Sequence, residues 1–282
     1  MSGFSFISKD GTPLHGAVLS APQNPKAVMT LIHGFGEHSG RYQGMADDLG
    51  AHDIAVVTCD LRGHGQSGGK RGSVKRYQDL RDDLDAVLSE TRIKFSGVPH
   101  VLYGHSMGGG LVLRHLLDTP SAGHDLYGVI TSAPLLKLAA PPPAAVQMII
   151  RILRKIAPGL VLKNPIDGTK ISRLADEQSA YLSDPLNHGS MNAPLAAGLF
   201  EEGAAALDAA AQWSVPMLLM HAREDQLTDF SASMDFASKA QNCDFHAFDN
   251  AEHEMHNDST RPQIYALMRD FILAQTSRKT QS

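Results

Sequence analysis

An α/β fold follows from three observations: a mostly parallel sheet flanked by helices, with a helical cap inserted between two strands. Short continuous apolar runs recur along the 282 residues. Helical patterns of three- and four-residue period lie between those runs. One stretch, residues 134–213, breaks the rhythm and offers no strand pattern. Strands buried on both faces of a parallel sheet read as continuous apolar runs, because neither face needs polar residues. Strand, helix, strand alternation then makes parallel neighbours joined by right-handed crossovers.

KAVMTLIHG (26–34) is the first strand candidate, and it ends at glycine. IAVVTCD (54–60), HVLYG (100–104), YGVITSA (127–133), VPMLLMHA (215–222) and CDFHAF (243–248) complete the set. Between them, SVKRYQDLRDDLDAVLSETR (73–92) repeats Tyr77, Leu80, Leu84, Val87, Leu88 and Thr91 at helical steps, so one face is buried. Ser73 is the candidate N-cap of that helix. RYQGMADDLGAH (41–52), GGLVLRHLLD (109–118), FSASMDFASKA (230–240) and RPQIYALMRDFILAQ (261–275) are further helices. Residues 1–133 and 214–282 read as one core, and 134–213 as a helical cap, or lid, inserted into it.

Composition narrows the class. Hydrophobic residues make up 43% and the formal net charge is −5, which supports a sizeable core and argues against a nucleic-acid surface. Cys59 and Cys243 are the only cysteines and form no C-x-x-C, so a reducing compartment is the simplest reading. No basic segment followed by a long apolar run opens the chain, and no run of 18 apolar residues occurs. The expectation is a soluble, cytoplasmic protein.

The chemistry centres on Gly104-His105-Ser106-Met107-Gly108, a G-x-S-x-G at the junction of a strand and a helix. A strand that turns at once into a helix strains its middle residue, and small residues two places away on either side relieve the crowding. The Ser106 hydroxyl would then stand at the carboxyl end of the sheet beside a helix N-terminus, where N–H groups face developing negative charge. A serine needs a base, and the base needs an orienting acid, in the chain order Ser, Asp or Glu, His. The segment after VPMLLMHA offers Asp225, with Glu224 and Asp229 as rivals. The last loop offers His253, with His256 and His246 as rivals.

Other chemistries fit less well. The chain has 14 histidines, but His253-Glu254-Met255-His256 is one residue short of H-E-x-x-H, so no metal is expected. There is no P-loop, and Ser39 stands where a GxGxxG beginning at Gly34 would need glycine; no cofactor is expected.

Six segments carry a family resemblance: LIHGFGEHSGRY (31–42), DLRGHGQSGGKRG (60–72), GHSMGG (104–109), SAPLL (132–136), HAREDQL (221–227) and AEHEMHND (251–258). Together they resemble the monoacylglycerol lipase and lysophospholipase-like group of α/β-hydrolases. The resemblance implies the α/β-hydrolase fold, with Ser106 as nucleophile, Asp225 as acid and His253 as base. It also implies an oxyanion hole made by the backbone N–H groups of Phe35 and Met107. The chain departs from the family pattern at Ala222, where glycine is usual before the acid, and the cap finds no match. Arg62 and His64, in the loop after the second strand candidate, read as structural because the triad already supplies a base.

The implied activity is hydrolysis of single-chain lipid esters, monoacylglycerols first, with water as co-substrate and no nucleic-acid partner. The same triad serves carboxylesterases, lysophospholipases and thioesterases. A noncatalytic ligand-binding protein on the same fold is the alternative from another class, and the complete Ser, Asp, His set argues against it. In the cap, AVQMIIRILRKIAPGL (145–160) carries an apolar stripe of Val146, Ile149, Ile150, Leu153 and Ile156 beside Arg151, Arg154 and Lys155. Such a helix either packs on the core or touches lipid aggregates, which would add peripheral membrane contact.

Overall fold

The computed structural model describes residues 2–163 and 165–279. In chain order its elements are β1 (Ser2–Ile7), β2 (Pro13–Ser20), β3 (Ala27–Ile32), α1 (Gln43–Gly50), β4 (Ile54–Cys59), α2 (Gln78–Lys94), β5 (His100–His105), α3 (Met107–Asp118) and β6 (Leu126–Ser132). Next come α4 (Ala144–Ile156), β7 (Val161–Lys163), α5 (Ala175–Ser183), β8 (Ser190–Asn192) and α6 (Ala193–Asp208). The chain then returns through β9 (Met217–Ala222), α7 (Phe230–Lys239), β10 (Cys243–Phe248) and α8 (Arg261–Lys279).

Eight strands form one sheet in the order β1-β2-β4-β3-β5-β6-β9-β10. From β4 to β10 every neighbour is parallel; β2 runs antiparallel to both β1 and β4. The six expected strands are all present. β3, β4, β5 and β9 read as nearly continuous apolar runs because they are buried along their whole length. Successive side chains of β5 serve opposite faces: Val101 and Tyr103 pack toward α1 and α8, and Leu102 toward α2, α3 and α7.

The strand order reverses between β3 and β5. The chain leaves β3 through α1 on one face, and reaches β5 through α2 on the other. At such a switch point the loops beyond the carboxyl ends of the two strands diverge and leave a crevice. Phe35 and Ser106 lie in those two loops.

Three features differ from the sequence reading. β1 and β2 form an antiparallel edge that was not anticipated, since polar residues and the glycines Gly3 and Gly16 interrupt their apolar pattern. Helix α2 begins at Gln78 without a side-chain cap, so Ser73 is not its N-cap. Instead the Ser73 hydroxyl accepts from Asn192 Nδ2 at 2.9 Å. Finally, the stretch between β6 and β9 contains two strands, β7 and β8, paired antiparallel from Val161↔Asn192 to Lys163↔Ser190. At three residues each they are too short to show a period.

The stretch between β6 and β9 is joined to the rest at several points. Asn192 caps α6 by accepting the Leu195 N–H at 3.1 Å, and its amide donates to Val74 O at 2.8 Å. The His188 N–H donates to Gly36 O at 2.8 Å. Helix α6 packs on α3, and α4 packs on α6. Yet α4 buries no residue of its own.

Candidate active site

Ser106 occupies the sharp turn between β5 and α3, with φ 52° and ψ −118°. That backbone is sparsely populated for any residue with a Cβ and is held by its surroundings. The Ser106 N–H donates to Ser132 O at 3.0 Å, and its carbonyl accepts from Gly110 and Leu135 N–H at 3.0 and 2.8 Å. The flanking glycines are required by contact. A Cβ on Gly104 would lie 2.6 Å from Gly108 O, and one on Gly108 would lie 2.4 Å from Ile32 O.

Asp225 and His253 meet across the ends of β9 and β10. His253 Nδ1 donates to Asp225 Oδ2 at 2.7 Å, and both side chains are buried. Asp225 Oδ1 accepts the Leu227 and Thr228 N–H groups at 2.7 and 3.0 Å. Burial alone would raise the Asp225 pKa, but the His253 charge and the hydrogen bonds from His221 and His253 hold it well below the carboxylate range. For His253, burial works against the charged form. The Asp225 charge and hydrogen bond outweigh it, with Glu254 and Glu37 adding, and the net shift is upward.

Ser106 and His253 line one cavity of about 340 Å³ together with Phe35. Leu135, Leu138, Leu199 and Phe200 contribute apolar wall, and Asp167 and Lys170 polar edge. Among the described residues no hydrogen bond joins the Ser106 hydroxyl to His253, a gap common before substrate closes a site. The Phe35 and Met107 N–H groups have no partner among the described residues. The Gly34 N–H is already taken by Glu37 Oε1 at 2.6 Å.

The rival residues are engaged elsewhere. Glu224 pairs with Arg173, and Asp229 caps α7 by accepting the Ser231 N–H at 2.8 Å. His246 lies on β10, 3.0 Å from Asp244. His256 is fully buried and stacks on the Tyr42 ring with centroids 4.6 Å apart.

The remaining motif residues hold the loops. Arg62 donates to Asp83 at 2.6 and 2.8 Å and to Asp10 at 2.8 Å, away from the cavity, as a structural residue would. Burial raises the Asp83 pKa against the pull of Arg62. His33 accepts the Leu61 N–H at Nε2 and donates from Nδ1 to Gly34 O, which fixes its tautomer. His64 packs between His33 and His188 at centroid distances of 5.2 and 4.7 Å; burial depresses its pKa. The sequence reading did not single out Glu37, Arg41, Glu254, His221 or Thr228. Their one signal was position, since all five lie in or beside the segments that carry the resemblance.

The serine aminopeptidase, S33 family profile matches residues 23–260. The monoglyceride lipase of Homo sapiens is 31% identical over 258 residues, covering 89% of this chain and 83% of its own. A monoacylglycerol lipase of Mycolicibacterium smegmatis is 28% identical over 276 residues, covering 97% of each. An uncharacterized abhydrolase domain-containing protein of Dictyostelium discoideum is longer, and the match spans 26% of its length. Among solved structures, the Paleococcus ferrophilus monoacylglycerol lipase superposes with a TM-score of 0.83 at 28% identity, over 93% of this chain and 99% of its own. The chain belongs to the serine aminopeptidase S33 family of α/β-hydrolases, among its monoacylglycerol lipase-like members.

Proposed function

We propose that this protein is a serine ester hydrolase that cleaves monoacylglycerols through Ser106, His253 and Asp225. The observation that carries this reading is a strained serine and a hydrogen-bonded Asp225–His253 pair whose imidazole opens onto the same mostly apolar cavity. His253 Nε2 takes the Ser106 proton as the hydroxyl oxygen attacks the ester carbonyl carbon. The developing oxyanion is held by the Phe35 and Met107 N–H groups, and Asp225 steadies the imidazolium. Collapse expels glycerol, which receives the proton from His253, and leaves the acyl group on Ser106. Water, activated by the same imidazole, then releases the fatty acid and restores the enzyme.

The cavity supports the substrate class. Leucine and phenylalanine walls suit an alkyl chain rather than a charged peptide terminus. A second cavity of about 260 Å³ shares Leu135, Leu138, Leu199 and Phe200 with the first and continues along Pro141 and Pro142 toward α4. In this reading residues 134–213 form a cap over the core, and the acyl chain follows the two cavities beneath it. No helix among the described residues is long and apolar enough to cross a membrane. The cap would instead meet lipid from the surface, through exposed Met148, Ile149, Ile152 and Ile156.

The test is hydrolysis of monoacylglycerols of increasing chain length, with aryl esters, lysophosphatidylcholine and Ser106→Ala alongside. Preferred turnover of monoacylglycerols, lost in the variant, is the expected result. Turnover restricted to short aryl esters would redefine the protein as a general esterase. No turnover of any ester by the folded protein would reopen the noncatalytic alternative.

A further inference from the structure

The carboxylate of Asp225 serves two imidazoles. Its Oδ2 accepts from His253 Nδ1 at 2.7 Å, from the Thr228 hydroxyl at 2.8 Å and from His221 Nε2 at 3.1 Å. His221 belongs to β9, four residues before Asp225, and is fully buried, with no place on the cavity wall. The Phe230 ring stands nearly perpendicular to it, with centroids 5.7 Å apart.

The other ring nitrogen is also occupied. His221 Nδ1 lies 2.7 Å from the Ser233 hydroxyl, on α7 and fully buried. A hydroxyl can donate to a bare nitrogen or accept from a protonated one. Ser233 therefore satisfies Nδ1 either way, and Nε2 keeps its hydrogen for Asp225. The chain of contacts is Ser233–His221–Asp225–His253, and it leads on to Ser106 in the cavity. It is symmetric in residue type about the carboxylate, but only the Ser106 end opens to substrate.

We propose that His221 is a positioning residue for the hydrolysis: its Nε2–H fixes the Asp225 carboxylate and shares its charge, and so sets how tightly Asp225 holds the His253 proton. The proposal rests on the triad reading given above. An oxygen shared by three donors has less negative charge for each, so His253 gives up its proton at lower pH than it would beside an unshared carboxylate. Without the His221 N–H, the carboxylate also loses a restraint on its side-chain rotation. The other groups that face His253 are His105 from the end of β5, His256 and Glu254 from its own loop, and Glu37 from the loop after β3. Asp167 and Lys170 lie on the cavity wall it shares. None of these changes on substitution of His221.

The experiment is the pH profile of kcat/KM on a soluble ester for wild type, His221→Leu and His221→Gln. His221→Leu is expected to move the acid limb upward by about one pH unit and to lower the plateau about tenfold. His221→Gln keeps a nitrogen donor at similar reach and is expected to restore the limb. A folded His221→Leu with the wild-type limb would overturn the proposal, as would equal shifts in the two variants. If His221→Leu does not fold, Ser233→Ala decides. It frees the ring, and a smaller shift of the same sign is expected; an unchanged limb overturns the idea. Failure of the underlying reading is separate, because Ser106→Ala would then retain wild-type turnover whatever His221 does.

Discussion

Glu37 Oε1 lies 2.6 Å from the Gly34 nitrogen and accepts its N–H, one residue before the Phe35 N–H proposed to meet the oxyanion. The same oxygen accepts the Tyr42 hydroxyl at 2.7 Å. Arg41 faces Glu37 Oε2 at 3.3 Å and Glu254 Oε2 at 2.5 Å, and all three charged side chains are buried. One cation between two carboxylates thus ties the loop after β3 to the loop that bears His253. Burial, together with the nearby Glu37 charge, raises the Glu254 pKa against the pull of Arg41.

Arg41 stays paired with Glu254 when Glu37 is removed, so the loss falls on the Gly34 N–H and the Tyr42 hydroxyl, two buried donors left without an acceptor at about 1–3 kcal/mol each. Glu37→Leu is therefore expected to unfold in denaturant with a loss of about 2–6 kcal/mol. Glu37→Gln keeps an acceptor for Gly34 and should lose less, about 1–3 kcal/mol. Equal stability of Glu37→Leu and wild type in a urea titration would contradict the role given to this network.

His253 must be neutral to accept the Ser106 proton, so activity should rise with pH as the imidazolium deprotonates. Burial lowers its pKa, but Asp225, Glu254 and Glu37 carry it above the ordinary histidine value of 6.5. The acid limb of kcat/KM should therefore have its midpoint above 6.5. Asp225→Asn removes the largest of the raising influences, so the limb should move down while kcat falls about 10⁴-fold. A limb that stays in place in Asp225→Asn would mean that another group titrates.

These residues mark how far the sequence could be read. β3 to β6 and β9 were legible because burial on both faces leaves a nearly unbroken apolar run, whereas the edge strand β10 carries Asp244 and His246 and buries no residue fully. Ser106, Asp225 and His253 became candidates because each follows its own strand in a fixed order, with Glu224, Asp229, His246 and His256 as rivals until the family resemblance chose among them. His221 was hidden by the same rule that revealed β9: inside an apolar run it looks like one more core residue, and only the fold brings it to Asp225. Ser73 misled for a related reason. It has the chemistry of an N-cap, but its hydroxyl serves Asn192, more than a hundred residues away in sequence. β7 and β8 pair through backbone alone over three residues, too little for a side-chain period to register.

The backbone at Ser106 separates catalysis from strain. Ser106→Ala keeps the Cβ, the φ of 52° and the surrounding contacts, so stability should stay near wild type while kcat falls by several orders of magnitude. Ser106→Gly removes the Cβ that makes this conformation costly, by about 1–3 kcal/mol, while adding freedom to the unfolded chain worth about 0.5–1 kcal/mol. Ser106→Gly should therefore melt above Ser106→Ala, with both inactive. The reverse order of melting temperatures would show that the turn is not strained.

Helix α4 gives the last expectation. Its apolar residues divide between two faces. Ile150 and Leu153 are half-buried toward α6, whereas Met148, Ile149, Ile152 and Ile156 are each about half exposed or more, from 47% to 73%. Arg151 and Lys155 are exposed on the same helix, and Arg154 pairs with Glu201 at 2.6 Å. A soluble helix that packs only on its own protein has no reason to turn four large aliphatic side chains outward. A lipid surface would bury them and leave Arg151 and Lys155 at the headgroups. Ile149→Ser with Ile152→Ser should weaken binding to vesicles by about 2 kcal/mol, roughly thirtyfold in partitioning. Raised salt should weaken binding of wild type to anionic vesicles but hardly affect neutral ones, because screening reaches the cations and not the aliphatic contact. Co-sedimentation with vesicles of both compositions reads both effects, and wild-type protein that stays in the supernatant of both would remove the lipid surface as the partner of this helix.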